Sequence, residues 1–359
     1  MLVLRDLGVG GAERVVVRLA NYLAAQGLDT GLITLVGAGP LAAELGDGVQ
    51  LHDLAAGRIR SAVIPFYRLL ARLRPDSLLS TLPQVNALSV AVARSLPARP
   101  RVVVREANDP RHEAPYSRRF GGVTRRLLAA AYRRADLVIA VSEGVKAGVE
   151  QAYGVDPARV VALPNASLDD GLLERSRAEL NDDWYAGLEK RIVCVARLSA
   201  QKDHATLLRA FASLEAGPRT GLVLIGSGPL EAQVRGLVDS LGLAGRVKIV
   251  TDETNPFRWL RSADLLVLSS RWEGSPNVLV EALALGVPVV ATDCRSGPRE
   301  ILADGQFGEL VPVGDVAALA AALRLALARA PDAQRLIERS RAFHIESVGP
   351  RWLAALLPR

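Results

Sequence analysis

The stretch Glu273–Val290, "EGSPNVLVEALALGVPVV", carries two charges, both carboxylates, eight positions apart in an otherwise apolar segment. Ser275 followed by Pro276 reads as a helix N-cap with proline at the first helical position. Asn277 to Leu285 propagates the helix, Gly286 suits the position just past its end, and Pro288 lies beyond it. Val287 to Thr292 is rich in β-branched residues and reads as a buried strand. A helix apolar nearly all round that runs straight into such a strand belongs in a layered α/β domain. Glu273 then sits in the turn before the helix, and Glu281 about one and a half turns into it. Each would cost several kcal/mol to bury unpaired. A protein arginine could satisfy Glu281, and so could the hydroxyls of a ligand.

Outward from this stretch, strand-like runs alternate with helical patterns, as parallel α/β sheets require. In the first half the strands are Leu2–Leu4, Gly31–Val36, Ser77–Ser80, Arg101–Arg105, Leu137–Val141 and Val160–Leu163, with helices at Ala12–Gln26 and Val123–Arg134 among those between. In the second half they are Arg191–Ala196, Gly221–Ile225, Val247–Val250, Leu265–Leu268 and Pro288–Ala291. The polar run 164–190, "PNASLDDGLLERSRAELNDDWYAGLEK", fits a linker. The expected fold is two Rossmann-like, doubly wound domains, residues 1–166 and 167–344, whose strand carboxyl ends face a common cleft.

Charge is uneven. Residues 1–165 hold 21 Lys+Arg against 14 Asp+Glu, whereas the remainder holds 23 against 24. The basic excess of the first half suggests an anionic partner there. The run Arg118–Arg134, "RRFGGVTRRLLAAAYRRA" with its final Ala135, interleaves paired arginines with Phe120, Val123, Leu127, Leu128 and Tyr132. Such a helix can lie on an anionic membrane, or be an ordinary surface helix. Single-stranded nucleic-acid binding is not expected, because only 4% of residues are aromatic and such readers depend on stacking. No apolar run is long enough to span a bilayer, and the start of the chain lacks a signal-peptide pattern. Cys194 and Cys294 lack ligand-like spacing, and the four histidines stand singly, so a cytosolic protein without a metal site is expected.

Four glycine- or cation-bearing turns follow strands. "LGVGGAER" (Leu7–Arg14) opens a helix with Gly10 and Gly11 where a backbone could approach an anion, although Glu13 stands where a dinucleotide fingerprint needs glycine. "ARLSAQKD" (Ala196–Asp203) offers Arg197 and Lys202 from one loop, either as a pyrophosphate clamp or as surface cations paired with Asp203 or Glu189. "LIGSGPL" (Leu224–Leu230) places Gly226, Gly228 and Pro229 where side chains would obstruct a nucleotide. The amides at Ser275–Val278 form a fourth anion-binding helix start. Together these supply cations and amides for a diphosphate, and carboxylates for vicinal hydroxyls. A nucleotide-sugar matches that inventory.

The motifs "GVGGAERVV", "PNA", "ARLSAQKD", "IGSGP" and "SRWEGSPNVLVEALALGVPVVATDCRSGPREIL" resemble, in order, those of the retaining glycosyltransferases of family 4, whose fold is GT-B. The closer likeness, in "TNPFRW" and the Gly274–Gly297 segment, is to enzymes extending polyprenyl-diphosphate-linked oligosaccharides with hexoses or N-acetylgalactosamine. The resemblance implies that Glu273 holds hydroxyls of the transferred sugar and Glu281 the ribose hydroxyls. Arg197 and Lys202 would neutralise the leaving diphosphate, as metal-independent members do. Asn277 and Val278, after Ser275 and Pro276, would donate to its phosphates, with Gly10 and Gly11 approaching from the first domain. The base would lie near Val250 and Thr251, and no separate cofactor is implied beyond a nucleotide-sugar, UDP-linked by resemblance. The helix within 345–359 would return to the first domain.

One departure concerns "VVREANDP" (Val103–Pro110), where many relatives carry a histidine. Here Arg105, Glu106 and Asn108 are the acceptor-side candidates, and His112 is close by. The first strand is also short for the family. An NAD-linked Rossmann oxidoreductase and a nucleotide-sugar epimerase are the competing enzyme readings. The expected setting is the cytoplasmic face of the cell membrane, with a lipid-linked or other cell-envelope glycan as acceptor.

Overall fold

Parallel strands covered on both faces read as unbroken apolar runs, and those at the centre of both sheets do. In the computed structural model, which describes residues 1–112, 121–214, 217 and 219–357, the chain divides into two units. These are Met1–Ala166 with Phe343–Arg359, and Ser167–Ala342.

The first unit holds seven parallel strands: β1 (Leu2–Leu4), β2 (Thr30–Thr34), β3 (Val49–Asp53), β4 (Ser77–Thr81), β5 (Arg101–Glu106), β6 (Leu137–Ala140) and β7 (Val160–Ala162). Their order is β3-β2-β1-β4-β5-β6-β7. Alternate residues serve opposite cores: Val3, Ile33, Val102, Val104 and Val138 pack with Phe66, Leu70 and Tyr132, while Leu2, Leu4, Leu32, Val103 and Ile139 pack with Val16, Leu19 and Trp352. The last helix, Ile345–Leu356, lies on the helix Gly11–Ala25. A side chain at Gly349 would collide with the Tyr22 ring, and Trp352 Nε1 donates to the Pro164 carbonyl at 2.9 Å.

The second unit holds six: β8 (Lys190–Val195), β9 (Thr220–Ile225), β10 (Val247–Val250), β11 (Leu265–Leu268), β12 (Val289–Thr292) and β13 (Glu309–Val311). The order β10-β9-β8-β11-β12-β13 reverses between β8 and β11, and ligands of such sheets bind outside the strand carboxyl ends at that reversal.

Three local expectations are corrected. The helix after Glu273 spans Asn277–Ala284, and Pro276, not Ser275, occupies the N-cap position, without a side-chain cap. Pro276 has extended backbone (φ −72°, ψ 105°), which a proline ring permits at that boundary. The run after residue 163 is no free linker. It contains helices Gly171–Ser176 and Asp183–Ala186, pinned by buried Leu172 and by Tyr185, whose hydroxyl donates to the Trp259 carbonyl at 2.8 Å. Strands β3 and β13 escaped the sequence reading because both are sheet edges with half-exposed, partly charged sequences. Arg118, Arg119 and Phe120 lie outside the described residues; the rest of that run forms the helix Gly121–Tyr132 and the turn after it. No helix among the described residues is long and apolar enough to cross a membrane.

Candidate active site

The reversal point of the second sheet is where the sequence placed its cations. The loop after β8 continues to pair with the turn after β9: Ala196 N donates to Ile225 O (2.9 Å), Leu198 N to Ser227 O (3.0 Å) and Leu230 N to Leu198 O (3.0 Å). Ala196 and Leu198 are buried, so the intervening Arg197 is turned outward and is exposed. Gly226 (φ +139°) and Gly228 serve this crossing. A side chain on either would strike the backbone carbonyl of Ala196 or Leu198, at 2.4 and 2.3 Å. These glycines were expected to clear a nucleotide; within the protein they clear the backbone on either side of Arg197, at Ala196 and Leu198, with Pro229 completing the turn.

The acids proposed as surface partners of Arg197 are occupied elsewhere. Asp203 accepts from Arg271 Nε at 3.0 Å, and Glu189 pairs with Arg219. Among the described residues, no hydrogen bond or ion pair holds the Arg197 guanidinium. It is a cation presented to solvent from a fixed backbone.

Lys202 is placed differently. The turn Ala200–Lys202 is fastened to the segment after β11: Arg271 N donates to Gln201 O (2.7 Å), Gln201 Nε2 to Trp272 O (2.9 Å) and Ser269 Oγ to Lys202 O (2.9 Å). Its ammonium reaches Glu273 Oε1 at 2.5 Å, and Ser270 Oγ donates to the same oxygen at 2.6 Å. Ser296 Oγ holds the Glu273 carbonyl at 2.6 Å. The Glu273 side chain is only 6% exposed. The protein therefore supplies partners for this carboxylate, and both of these bonds fall on one of its two oxygens. Sequence reasoning missed Ser270, Ser296 and Arg271; the first lies three residues before Glu273, in the motif already quoted.

Gly297 (φ +94°) lets the turn after β12 cross Gly274 and Pro276, whose atoms a side chain there would meet at 2.7–2.8 Å. The helix Asn277–Ala284 ends with Val287 N donating to Ala282 O (2.9 Å) and Gly286 N to Leu283 O (3.0 Å), with Gly286 at φ +72°. That is a Schellman stop. At its start, Ser167 Oγ donates to Asn277 Oδ1 at 2.9 Å. Asn277 and the buried Glu281 are four residues apart and share one face. Val278 follows in the first turn, whose N–H groups point away from the helix body.

At the end of β10, Val250 and the following Thr251 lead into a loop braced by a residue the sequence did not single out. Glu253 accepts from Asn255 N (2.7 Å), Arg258 Nη2 (2.8 Å) and Trp259 Nε1 (2.6 Å). Burial raises its pKa, but these hydrogen bonds outweigh that and hold it below the usual carboxylate range. Burial pushes the thiols of Cys194 and Cys294 up to about 12, so neither is a nucleophile at neutral pH. Among the described residues no group of three His, Cys, Asp or Glu side chains could hold a metal.

His204, beside this cluster, is 3% exposed, and its Nε2 is buried without a partner. Burial first, and Lys202 second, pull its pKa from 6.5 to about 4. Between those values the unfolded chain binds more protons than the folded one, so stability falls as pH drops and is fully retained above 6.5. We expect His204→Leu to recover about 2 kcal/mol of the stability lost between neutrality and about pH 5. Urea unfolding of both proteins across that range checks it; parallel pH profiles would contradict the assignment.

In the first unit, Gly10 is extended and caps the helix Gly11–Ala25, but Glu13 folds its carboxylate over Gly10, where a side chain would otherwise sit. Burial raises the Glu13 pKa. Arg105 is fully buried, its Nη1 and Nη2 donating to Thr81 Oγ1 (2.9 Å) and Asn165 Oδ1 (2.7 Å), and burial pulls its pKa down to about 10. Glu106 accepts from Tyr132 Oη (2.5 Å) and from the amides of Ala107 and Asn108. Arg105 and Glu106 thus support the end of β5 from inside. Of the three acceptor-side candidates, Asn108 alone is partly exposed.

The two parallel Rossmann-like units have the GT-B arrangement, and matches to two family models over most of the chain place it among the family 4 and group 1 glycosyltransferases. Residues 9–166 match the model of Glycosyltransferase Family 4, and residues 185–343 that of Glycosyl transferases group 1. The chain is 29% identical, over 86% of its length and 84% of the relative's, to the N-acetylgalactosamine-N,N'-diacetylbacillosaminyl-diphospho-undecaprenol 4-alpha-N-acetylgalactosaminyltransferase of Campylobacter jejuni. It is 28% identical to the lipopolysaccharide core biosynthesis glycosyltransferase LpsE of Rhizobium meliloti, over 92% and 89%. Among solved structures, Anabaena Alr3699/HepE in complex with UDP-glucose superposes with a TM-score of 0.78 at 19% identity, covering 99% of this chain and 98% of that one. Sucrose-phosphate synthase from Thermosynechococcus elongatus gives 0.79 at 21% identity, covering 98% and 96%. The oxidoreductase and epimerase readings fall with this assignment.

Proposed function

We propose that the chain transfers a hexose or N-acetylhexosamine from a UDP-sugar to a lipid-linked or other cell-envelope glycan, with retention of anomeric configuration and without a bound metal. The observation that carries the reading is the Lys202–Glu273 pair, its lysine in the same loop as Arg197, which is unpaired among the described residues, at the reversal of the second sheet. The solved relative bound to UDP-glucose and the relative named for a diphospho-undecaprenol acceptor support the donor and acceptor classes.

In this reading the diphosphate lies at the start of the helix Asn277–Ala284, where amides of Asn277 and Val278 and the helix dipole favour negative charge. Arg197 meets the charge that develops on the diphosphate as the glycosidic bond breaks. Lys202 holds Glu273 with one oxygen turned to the transferred sugar, and Glu281 accepts from the ribose hydroxyls. The base lies against Val250 and Thr251, on the loop that Glu253 braces. The departing diphosphate oxygen takes the proton of the acceptor hydroxyl on the face it leaves, so the new bond forms on that face and no strong protein base is required. The first unit receives the acceptor, and the basic helix Gly121–Tyr132 favours a site of action at the cytoplasmic face of the membrane.

The test is thermal shift and calorimetry against UDP- and GDP-sugars, followed by magnetic-resonance assignment of the product's anomeric configuration. Stabilisation by UDP-sugars and a product with the donor's configuration are expected. An inverted product, or no nucleotide binding, would remove the reading.

A further inference from the structure

We propose that Asp203 is a positioning residue for the Lys202–Glu273 pair: its buried carboxylate and left-handed backbone fix the direction in which the Lys202 side chain leaves the loop. Its catalytic consequence rests on the proposed function, whereas its geometry lies wholly within the second unit. Asp203 stands between the turn Ala200–Lys202 and the helix His204–Ala212, ending the one and capping the other. Its backbone is at φ 45° and ψ 50°, where Cβ crowds the chain of an L-residue and glycine enters freely. Aspartate is tolerated there because its short side chain can bond close by. Here it does so in two directions. Oδ1 accepts from Thr206 N at 3.4 Å, while Oδ2 accepts from Thr206 Oγ1 at 2.9 Å and from Arg271 Nε at 3.0 Å. The side chain is 4% exposed.

Capping alone does not account for this residue. A helix cap needs one side-chain oxygen on a first-turn N–H, and an ordinary cap supplies it from extended backbone. Asp203 adopts the costlier left-handed form, and its Oδ2 turns to the segment that carries Glu273. A strained conformation of this kind persists where its surroundings over-determine it. They do so here through Arg271, two residues before Glu273. Its backbone N donates to Gln201 O at 2.7 Å and its Nε reaches Asp203, so one residue grips the loop on both sides of Lys202. Ser269 Oγ adds bonds to the carbonyls of Lys202 (2.9 Å) and Asp203 (3.2 Å). The Lys202–Glu273 contact is therefore one rung of a short ladder that also joins 201 to 271 and 203 to 271. A lysine's flexible stem can meet a carboxylate in many ways. Clamping the backbone at 201 and 203 leaves few of them, and spares the ammonium the ordering that would otherwise fall on the bound donor.

The test reads Lys202 itself. Reductive methylation of the full chain, followed by mass spectrometry, gives the rate at which each lysine amine reacts, with exposed Lys190 as internal reference. Lys202, 17% exposed and bonded to Glu273, should react slowly in the wild type. Asp203→Ala should raise its rate relative to Lys190 at least ~10-fold, since both the carboxylate and the tolerance for this backbone are lost. Asp203→Asn, which keeps that tolerance and an oxygen for Thr206, should raise it several-fold. Thr206→Val, which removes a partner on the helix side only, should lower the melting temperature and leave the Lys202 rate at wild type. UDP release from UDP-glucose then gives the catalytic consequence. Asp203→Ala should slow it at least ~10-fold, but less than ~2-fold further when added to Lys202→Met, as for residues acting through one another. Unchanged Lys202 reactivity in both Asp203 variants overturns the proposal. So does an equal rise in Thr206→Val, or rate losses that multiply with Lys202→Met. A wild-type chain that neither binds nor cleaves UDP-glucose, with the methylation pattern as expected, would strike the donor reading and leave this one standing.

Discussion

Arg197→Ala is expected to lower kcat about 100-fold, close to 2.7 kcal/mol of barrier, and to leave the melting temperature where it is. The two halves of that expectation come from one geometry. The backbone at 197 is fixed by paired neighbours on both sides and by Gly226 and Gly228 beneath it, so the side chain contributes little to holding the fold. The guanidinium has no internal partner among the described residues, so its removal strands no buried charge. On the proposed function its contribution falls on a charge that appears only as the sugar leaves, so its loss should lower kcat more than it raises KM. Arg197→Lys should recover only part of the rate, because an ammonium cannot reproduce the planar fork on two phosphate oxygens. Steady-state kinetics with a UDP-sugar and melting curves decide it. A turnover equal to wild type, or a large fall in melting temperature, would assign the residue to something other than the leaving group.

Legibility in the sequence followed burial. The helix Asn277–Ala284 and its stop at Gly286 were readable because an apolar helix, a positive-φ glycine and a proline leave little freedom. Central strands were readable because both their faces are covered, and the edges β7 and β10 because they are rich in β-branched residues; the edges β3 (VQLHD) and β13 (ELV) carry no such run. The sequence located Glu273 and Lys202 but did not pair them, since 71 residues separate two groups that the β8–β11 adjacency joins. Glycines 226 and 228 were found from the motif, but the backbone of Ala196 and Leu198 that they let past was not: a motif shows that space is needed, and the fold adds for which segment.

The pairing of Lys202 with Glu273 makes the second large effect a matter of coupling. Lys202→Met leaves a carboxylate at 6% exposure with Ser270 as its remaining side-chain donor, and should cost about 3 kcal/mol of stability. Glu273→Gln strands the ammonium less severely, because Lys202 is 17% exposed and can turn toward water. The double variant should be more stable than the sum of the single losses predicts by at least ~1 kcal/mol, as for neighbours in contact. Kinetics then separate two roles for the lysine. If Lys202 acts on the diphosphate independently of Glu273, the two rate losses multiply in the double variant. If its task is to aim Glu273 at the sugar, losing the carboxylate leaves nothing further for the lysine to lose, and the double variant is no slower than the worse single one. The 2.5 Å contact, reinforced by Ser270 on the same oxygen, favours the second outcome. Multiplying losses would return Lys202 to the diphosphate and leave Arg197 as one of two cations there.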